Sequence, residues 1–403
     1  MRLVGMNFQN DFPVYKTYPN LAYLDSAASS QKPSCVIDAM TQMYQSQYAN
    51  VHRGLYQLSE QATIAYEAAR QTVAKFLGAL EDQLVFTPGT TASINLVAQA
   101  FLLPRLKAGD EILVSRMEHH ANIVPWYRLC EQTGAKLIVI ECDELGQLDL
   151  QAYAKALESH RVKMVALVHV SNVLGTINPI ASCISLAKAR GVPILVDGAQ
   201  ATAHMPVNVA QLGVDFYVTS AHKMYGPTGI GALYIAKDHF EDMMVYQTGG
   251  NMILEVDFDK VTYMSGPAKF EAGTPHIVGA IGFAKACDYL SSIGWNQIMA
   301  HEQALLAYLN HALASFSDIK VVGKAASKIG VVSFVMDRVH PHDIASILDH
   351  HQVCIRAGHH CAMPLVRYFG YPALSRISLG LNNVQKDIDQ LITALDQVRK
   401  IFA

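Results

Sequence analysis

Between Leu84 and Ile235 the chain repeats one pattern, a short apolar run followed by a stretch of different periodicity. The runs are Leu84–Thr87, Glu111–Ser115, Lys136–Ile140, Lys163–Val170, Pro193–Val196, Asp215–Thr219 and Ile230–Ile235. Several of them are separated by helix-like segments, Ala92–Phe101, Asn122–Thr133 and Ile180–Arg190. Strands alternating with helices imply βαβ units and a largely parallel sheet. Such a sheet collects ligands at the C-terminal edge of its strands. Two more helical stretches, Ser34–Tyr48 and Ser59–Leu77, precede the repeat.

Beyond Ile277 the pattern changes. A long helical region leads to short strands Val331–Val335, Val353–Arg356 and Arg376–Leu379, alternating with helices Pro341–His350, Met363–Phe369 and Val384–Ile401. We therefore expect an N-terminal segment (residues 1–20) packing on a smaller domain, a large α/β domain over 21–280, and a small α+β domain over 281–403. A chain of 403 residues with 51% hydrophobic and 16% charged residues can bury such a core. A net charge of −3 gives no reason to expect nucleic acid or an anionic membrane surface as a partner. Seven cysteines without CxxC spacing argue against a disulfide scaffold and suit a reducing compartment. No run approaches the ~18 apolar residues of a membrane span, and the N-terminus lacks signal-peptide features. The expected location is the cytoplasm.

Chemistry concentrates around Lys223, in Thr219-Ser220-Ala221-His222-Lys223-Met224-Tyr225-Gly226-Pro227-Thr228-Gly229, between two strand-like runs. A lysine on a rigid turn, with its pKa lowered by burial or nearby cations, suits a Schiff base. A surface lysine is the bland alternative. Upstream, apolar Ile194-Leu195-Val196 leads into Asp197-Gly198. An isolated Asp-Gly is a common turn. A carboxylate at a strand end can instead pair with the protonated ring nitrogen of pyridoxal phosphate, the cofactor's electron sink. A third piece is the strand Leu84–Thr87, the turn Pro88-Gly89-Thr90-Thr91 and the helix that follows. With Thr90 or Thr91 as cap, this helix start can take a phosphate or no ligand at all. Ser220 and His222 could add donors.

The chain resembles group II cysteine desulfurases, fold-type I pyridoxal phosphate enzymes of the class V aminotransferase family. The matching motifs run in the family's order: Tyr23-Leu24-Asp25-Ser26-Ala27-Ala28, Asn50-Val51-His52-Arg53-Gly54, Gly89-Thr90-Thr91, Glu118-His119-His120-Ala121-Asn122, His169-Val170-Ser171-Asn172, Val196-Asp197-Gly198-Ala199-Gln200, His222-Lys223, Glu271-Ala272-Gly273-Thr274-Pro275 and Arg356-Ala357-Gly358-His359-His360-Cys361. The resemblance implies a mostly parallel seven-stranded sheet in the large domain plus a smaller α+β C-terminal domain. It implies that Lys223 binds pyridoxal 5'-phosphate covalently, Asp197 pairs with the ring nitrogen and Gln200 bonds the ring oxygen. His120 would stack on the ring and assist proton transfer, one of the two adjacent histidines being ordinary surface. Thr90, Thr91, Ser220 and His222 would hold the phosphate, with Thr274 from a second subunit of a homodimer. Asn172, Arg356 and Arg376 would hold the substrate carboxylate, with His52 nearby.

By the same resemblance the substrate is L-cysteine and the product L-alanine. Sulfur would pass as a Cys361 persulfide to a SufE-type acceptor protein, for iron–sulfur cluster or thiolated product synthesis. Selenocysteine lyase and cysteine sulfinate desulfinase activities are the alternatives on the same site. Free cysteines are usually small buried hydrophobes, the role expected of Cys35, Cys130, Cys142, Cys183, Cys287 and Cys354. Cys361 differs: basic neighbours His359, His360 and Arg356 favour a nucleophilic thiolate. The same region holds His340, His342, His350 and His351, but none of the fixed Cys/His spacings of a zinc site, and no metal is expected. Pro88, Ala92, Ala221 and Asn251 depart from the family pattern without removing a group the chemistry needs.

Overall fold

The computed structural model describes residues 7–402. Its larger sheet has seven strands in the order Leu84–Thr87, Gly231–Ile235, Phe216–Ser220, Ile194–Asp197, Val162–Val168, Glu111–Ser115, Lys136–Ile140. All neighbours from Phe216–Ser220 to Lys136–Ile140 are parallel. Gly231–Ile235 alone runs antiparallel to both of its neighbours. Every residue of the five central strands is buried or nearly so, as continuous apolar runs covered on both faces require. Two apolar clusters lie on opposite faces, one containing Leu113, Val165, Ile194 and Val196, the other Ile112, Val114, Ala166, Leu195 and Phe216. Alternate residues of each strand serve alternate faces.

Helix Gln57–Leu77 ends at Gly78, whose φ of +70° lets Ala79 N–H reach back to Ala74 O. The helix after the phosphate-type turn starts at Thr90 and continues from Leu96 as a π-helical stretch, Val97–Leu102. Neither Thr90 nor Thr91 caps it. Gly89 is the N-cap, with φ +152° and ψ −179°, a conformation only glycine adopts without strain.

A second sheet of four antiparallel strands, Ile319–Val322, Val331–Met336, Leu374–Ser378 and Arg356–Gly358, is formed by the C-terminal part. The expected strand Val353–Arg356 is divided. Val353-Cys354 pairs in parallel with Ala22-Tyr23, and Arg356–Gly358 pairs with Leu374–Ser378. Ile319–Val322 and the hairpin Ile253–Val256/Val261–Tyr263 were not foreseen. Helix Ile277–Ile293 crosses residue 280 unbroken and packs on Gln57–Leu77. Of the N-terminal segment, residues 1–6 lie outside the described residues. Phe12 packs against Tyr225 and Tyr289, while Tyr15 accepts a hydrogen bond from Asn382. Among the described residues no helix is long and apolar enough to cross a membrane.

Candidate active site

Asp197 and Ser220 are the last residues of neighbouring parallel strands. Both open into a cavity of about 190 Å³ that Thr90, Thr91, His119, Asn172, His222, Lys223, Arg356, Cys361 and Arg376 also line. The cavity therefore sits where an open α/β sheet places its ligand. Asp197 is fully buried, and burial raises its carboxyl pKa, partly offset by the charge of Lys223. Its Oδ1 accepts a hydrogen bond from Ala199 N, the turn that Asp-Gly suggests, and the carboxylate still faces the cavity. Burial lowers the pKa of Lys223; Asp197 opposes this and Arg376 reinforces it. A lysine so enclosed is disposed toward its neutral, nucleophilic form.

Strand pairing brings the phosphate-type turn to this lysine. Thr90 N donates to Ser220 Oγ at 2.9 Å, and Ser220 Oγ donates to Thr90 Oγ1 at 2.9 Å. A Cβ on Gly89 would lie 3.2 Å from Ser220 Oγ, so the close approach depends on glycine. Burial lowers the His222 pKa to about 4, leaving a neutral imidazole at the cavity wall.

The opposite wall comes from the C-terminal sheet. Arg356 and Arg376 are direct cross-strand partners, so their side chains share one face. Like charges placed so repel; Asp25 lies between them. Arg376 Nη2 donates to Asp25 Oδ1 at 2.8 Å and Arg356 Nε to Asp25 Oδ2 at 3.3 Å. Two cations share one anion, so the cavity wall carries an uncompensated positive charge. Arg376 is 2% exposed and its Nε has no partner. This is a ready receptor for a small carboxylate.

The expected site residues divide between the cavity and its surroundings. His119, not His120, lines the cavity. Glu118, fully buried with its pKa pushed up to about 8 by desolvation, accepts from Ser115 Oγ, Val168 N and Asn122 Nδ2. That fixes the turn and directs His119 inward, where burial and Lys223 lower its pKa to about 3. His120 turns instead to the Cys361 loop. Asn172 lines the cavity and donates one amide N–H to His360 O at 2.6 Å, which leaves its second N–H and its unpartnered Oδ1 for a ligand. Gln200 is buried and donates to Ala27 O; it does not line the cavity. His52 lies outside too, bonded to Glu67 at 2.8 Å. Thr274 is exposed and borders a separate cavity of about 280 Å³ beside Phe86 and Pro275. Asp25, which the sequence placed in a motif without a role, is the anchor of both arginines.

Cys361 is exposed at the cavity mouth, while Cys130, Cys142, Cys183 and Cys287 are buried and Cys35 and Cys354 half-buried. Among the described residues no group of three or more His, Cys, Asp or Glu side chains is disposed to hold a metal.

An enclosed lysine, a strand-end carboxylate, a helix start and a paired-arginine wall in one cavity define an enzyme site of the vitamin B6 type. Residues 22–391 match the aminotransferase class-V family, and the chain belongs to it. It is 45% identical to the cysteine desulfurases of Salmonella typhimurium and Salmonella typhi over 397 residues, 97% of each chain. The S-sulfonic acid form of the cysteine desulfurase CsdA from Escherichia coli superposes with a TM-score of 0.92 at 38% identity, covering 98% of both chains. The apo cysteine desulfurase of Thermococcus onnurineus NA1 gives 0.93 at 38% identity over 97% of both. The cofactor is pyridoxal 5'-phosphate, and the residues present fit it. Lys223 would supply the amine, the buried Asp197 faces the cavity with acceptor capacity to spare, and the Thr90-Thr91 turn with Ser220 and His222 would form a phosphate cradle.

Proposed function

We propose that the protein is a cysteine desulfurase that removes sulfur from L-cysteine and carries it on Cys361. The observation carrying this reading is a solvent-reachable thiol at the mouth of the cavity that Lys223 and the Arg356–Arg376 pair also line. Arg356 and Arg376 bind the substrate carboxylate and so orient its Cα and sulfur. Lys223, Asp197, Thr91, Ser220 and His222 would hold the cofactor, with His119 against its ring. When bound, pyridoxal phosphate supplies the sink for the electron pair released at Cα. Lys223, as a neutral amine, removes the Cα proton and returns a proton later. Asp197 would pair with the protonated ring nitrogen. Cys361 thiolate attacks the substrate sulfur. An S–S bond forms, the C–S bond breaks, and its electron pair leaves with the carbon, which is protonated to give L-alanine. Cys361 is left as a persulfide.

Its exposure suits transfer to a second protein, and a SufE-type acceptor is our proposal for that partner. Thr274 and His52, exposed and away from the Lys223 cavity, are proposed to complete the site of a second subunit in a homodimer. Seven unpaired cysteines support work in a reducing compartment such as the cytoplasm. The decisive test is Cys361→Ala. Sulfide release from cysteine should be lost, with cofactor absorbance retained and selenide release from selenocysteine spared. Undiminished sulfide release would refute the persulfide route.

A further inference from the structure

Two consecutive non-glycine residues, His360 and Cys361, have φ values of +52° and +55°. Each such residue costs about 1 kcal/mol or more and persists only where its surroundings over-determine it. The surroundings here are specific. His120 N donates to Cys361 O at 2.7 Å, and Met363 N donates to His120 Nε2 at 3.0 Å. His120, 241 positions upstream (361 − 120), thus grips the chain at the Cys361 carbonyl and again two residues on. The second bond also fills a gap in the helix Met363–Tyr368. Its N-cap, Ala362, has no side-chain acceptor, and the imidazole takes the first-turn N–H in its place.

We propose that His120 is the positioning residue for the sulfur-accepting thiol: its backbone N–H and its imidazole together hold the Cys361 turn in the left-handed conformation that presents the thiol to the cavity. This inference rests on the desulfurase reading and extends it. His119 and His120 divide the labour. One imidazole faces the cavity, and the other, through the same short helix-like turn His120–Asn122, holds the loop that carries the nucleophile. Asn172 assists through His360 O. The acceptor role requires a neutral imidazole, consistent with a His120 pKa lowered by burial and by His359.

The test compares the wild-type holoenzyme with His120→Leu, which cannot accept the Met363 N–H, and His120→Gln, whose amide oxygen can. Three quantities are read: the cofactor absorbance band, the rate of Cys361 persulfide formation by mass spectrometry after a single addition of L-cysteine, and amide hydrogen exchange over residues 358–364. His120→Leu should keep the cofactor band, form persulfide about tenfold more slowly and exchange about tenfold faster over that segment. His120→Gln should recover most of both. A Leu variant with unchanged exchange and persulfide rate overturns the proposal, and so does one that has lost the cofactor, which would return His120 to the cofactor. If wild type forms no persulfide, the desulfurase reading fails, and exchange still decides whether His120 holds the turn.

Discussion

Replacing Arg376 by lysine keeps the charge and removes the fork, so it isolates what the guanidinium geometry contributes. Arg376 is 2% exposed; Nη1 donates to Asn172 O at 3.0 Å, Nη2 to Asp25 Oδ1, and Nε faces no protein partner. A lysine ammonium in the same space can reach Asp25 or an incoming carboxylate but cannot present a fixed fork to both. One charge-assisted hydrogen bond to substrate should be lost, worth about 1.5–3 kcal/mol, or roughly tenfold to 150-fold in kcat/KM. The assay measures kcat/KM for sulfide release, with a thiol reductant present, from L-cysteine and from L-cysteine amide, which lacks the carboxylate. Arg376→Lys should compress the preference for cysteine over its amide by at least about tenfold, with little change for the amide itself. The urea midpoint should fall modestly, because Asp25 keeps a cationic partner. An unchanged preference would mean that Arg376 only braces Asp25 and does not read the carboxylate.

Acid should destabilise the fold through buried histidines. Burial lowers His169 to about 4 and His360 to about 3, the latter aided by Arg376. Unfolded, both titrate near ~6.5. Their stability contribution is full above that pH and is lost as pH falls toward 4 and 3, by up to about 1.4 kcal/mol per pH unit for each. Urea midpoints that stay flat between pH 6.5 and 4.5 would contradict this. Gly89→Ala forces a Cβ into a glycine-only conformation 3.2 Å from Ser220 Oγ. It should cost about 1–3 kcal/mol and weaken cofactor retention on dialysis, followed by absorbance; wild-type retention would show that the turn adapts.

The parallel core was legible because strands buried on both faces are continuous apolar runs, and strand-end residues such as Asp197 follow from that directly. Lys223 stood out because two strand-like runs fix the turn between them. Other positions needed three dimensions. Adjacent His119 and His120 are indistinguishable in sequence; the buried Glu118 network decides which one faces the cavity. Asp25 becomes intelligible only once antiparallel pairing sets Arg356 opposite Arg376. Thr90 looked like a cap, yet its hydroxyl is engaged by Ser220, and glycine takes the cap position instead. The strand at Ile319–Val322 was missed because it has mixed exposure, lying at a sheet edge.

Arg356, Arg376 and the turn leading to Cys361 all belong to one small antiparallel ladder. The guanidinium pair and the sulfhydryl are therefore set apart by a short, fixed length of chain. The protein thus carries a molecular ruler, graduated from carboxylate to sulfur. A homologue of cysteine one methylene longer would overshoot the mark while fitting every other contact.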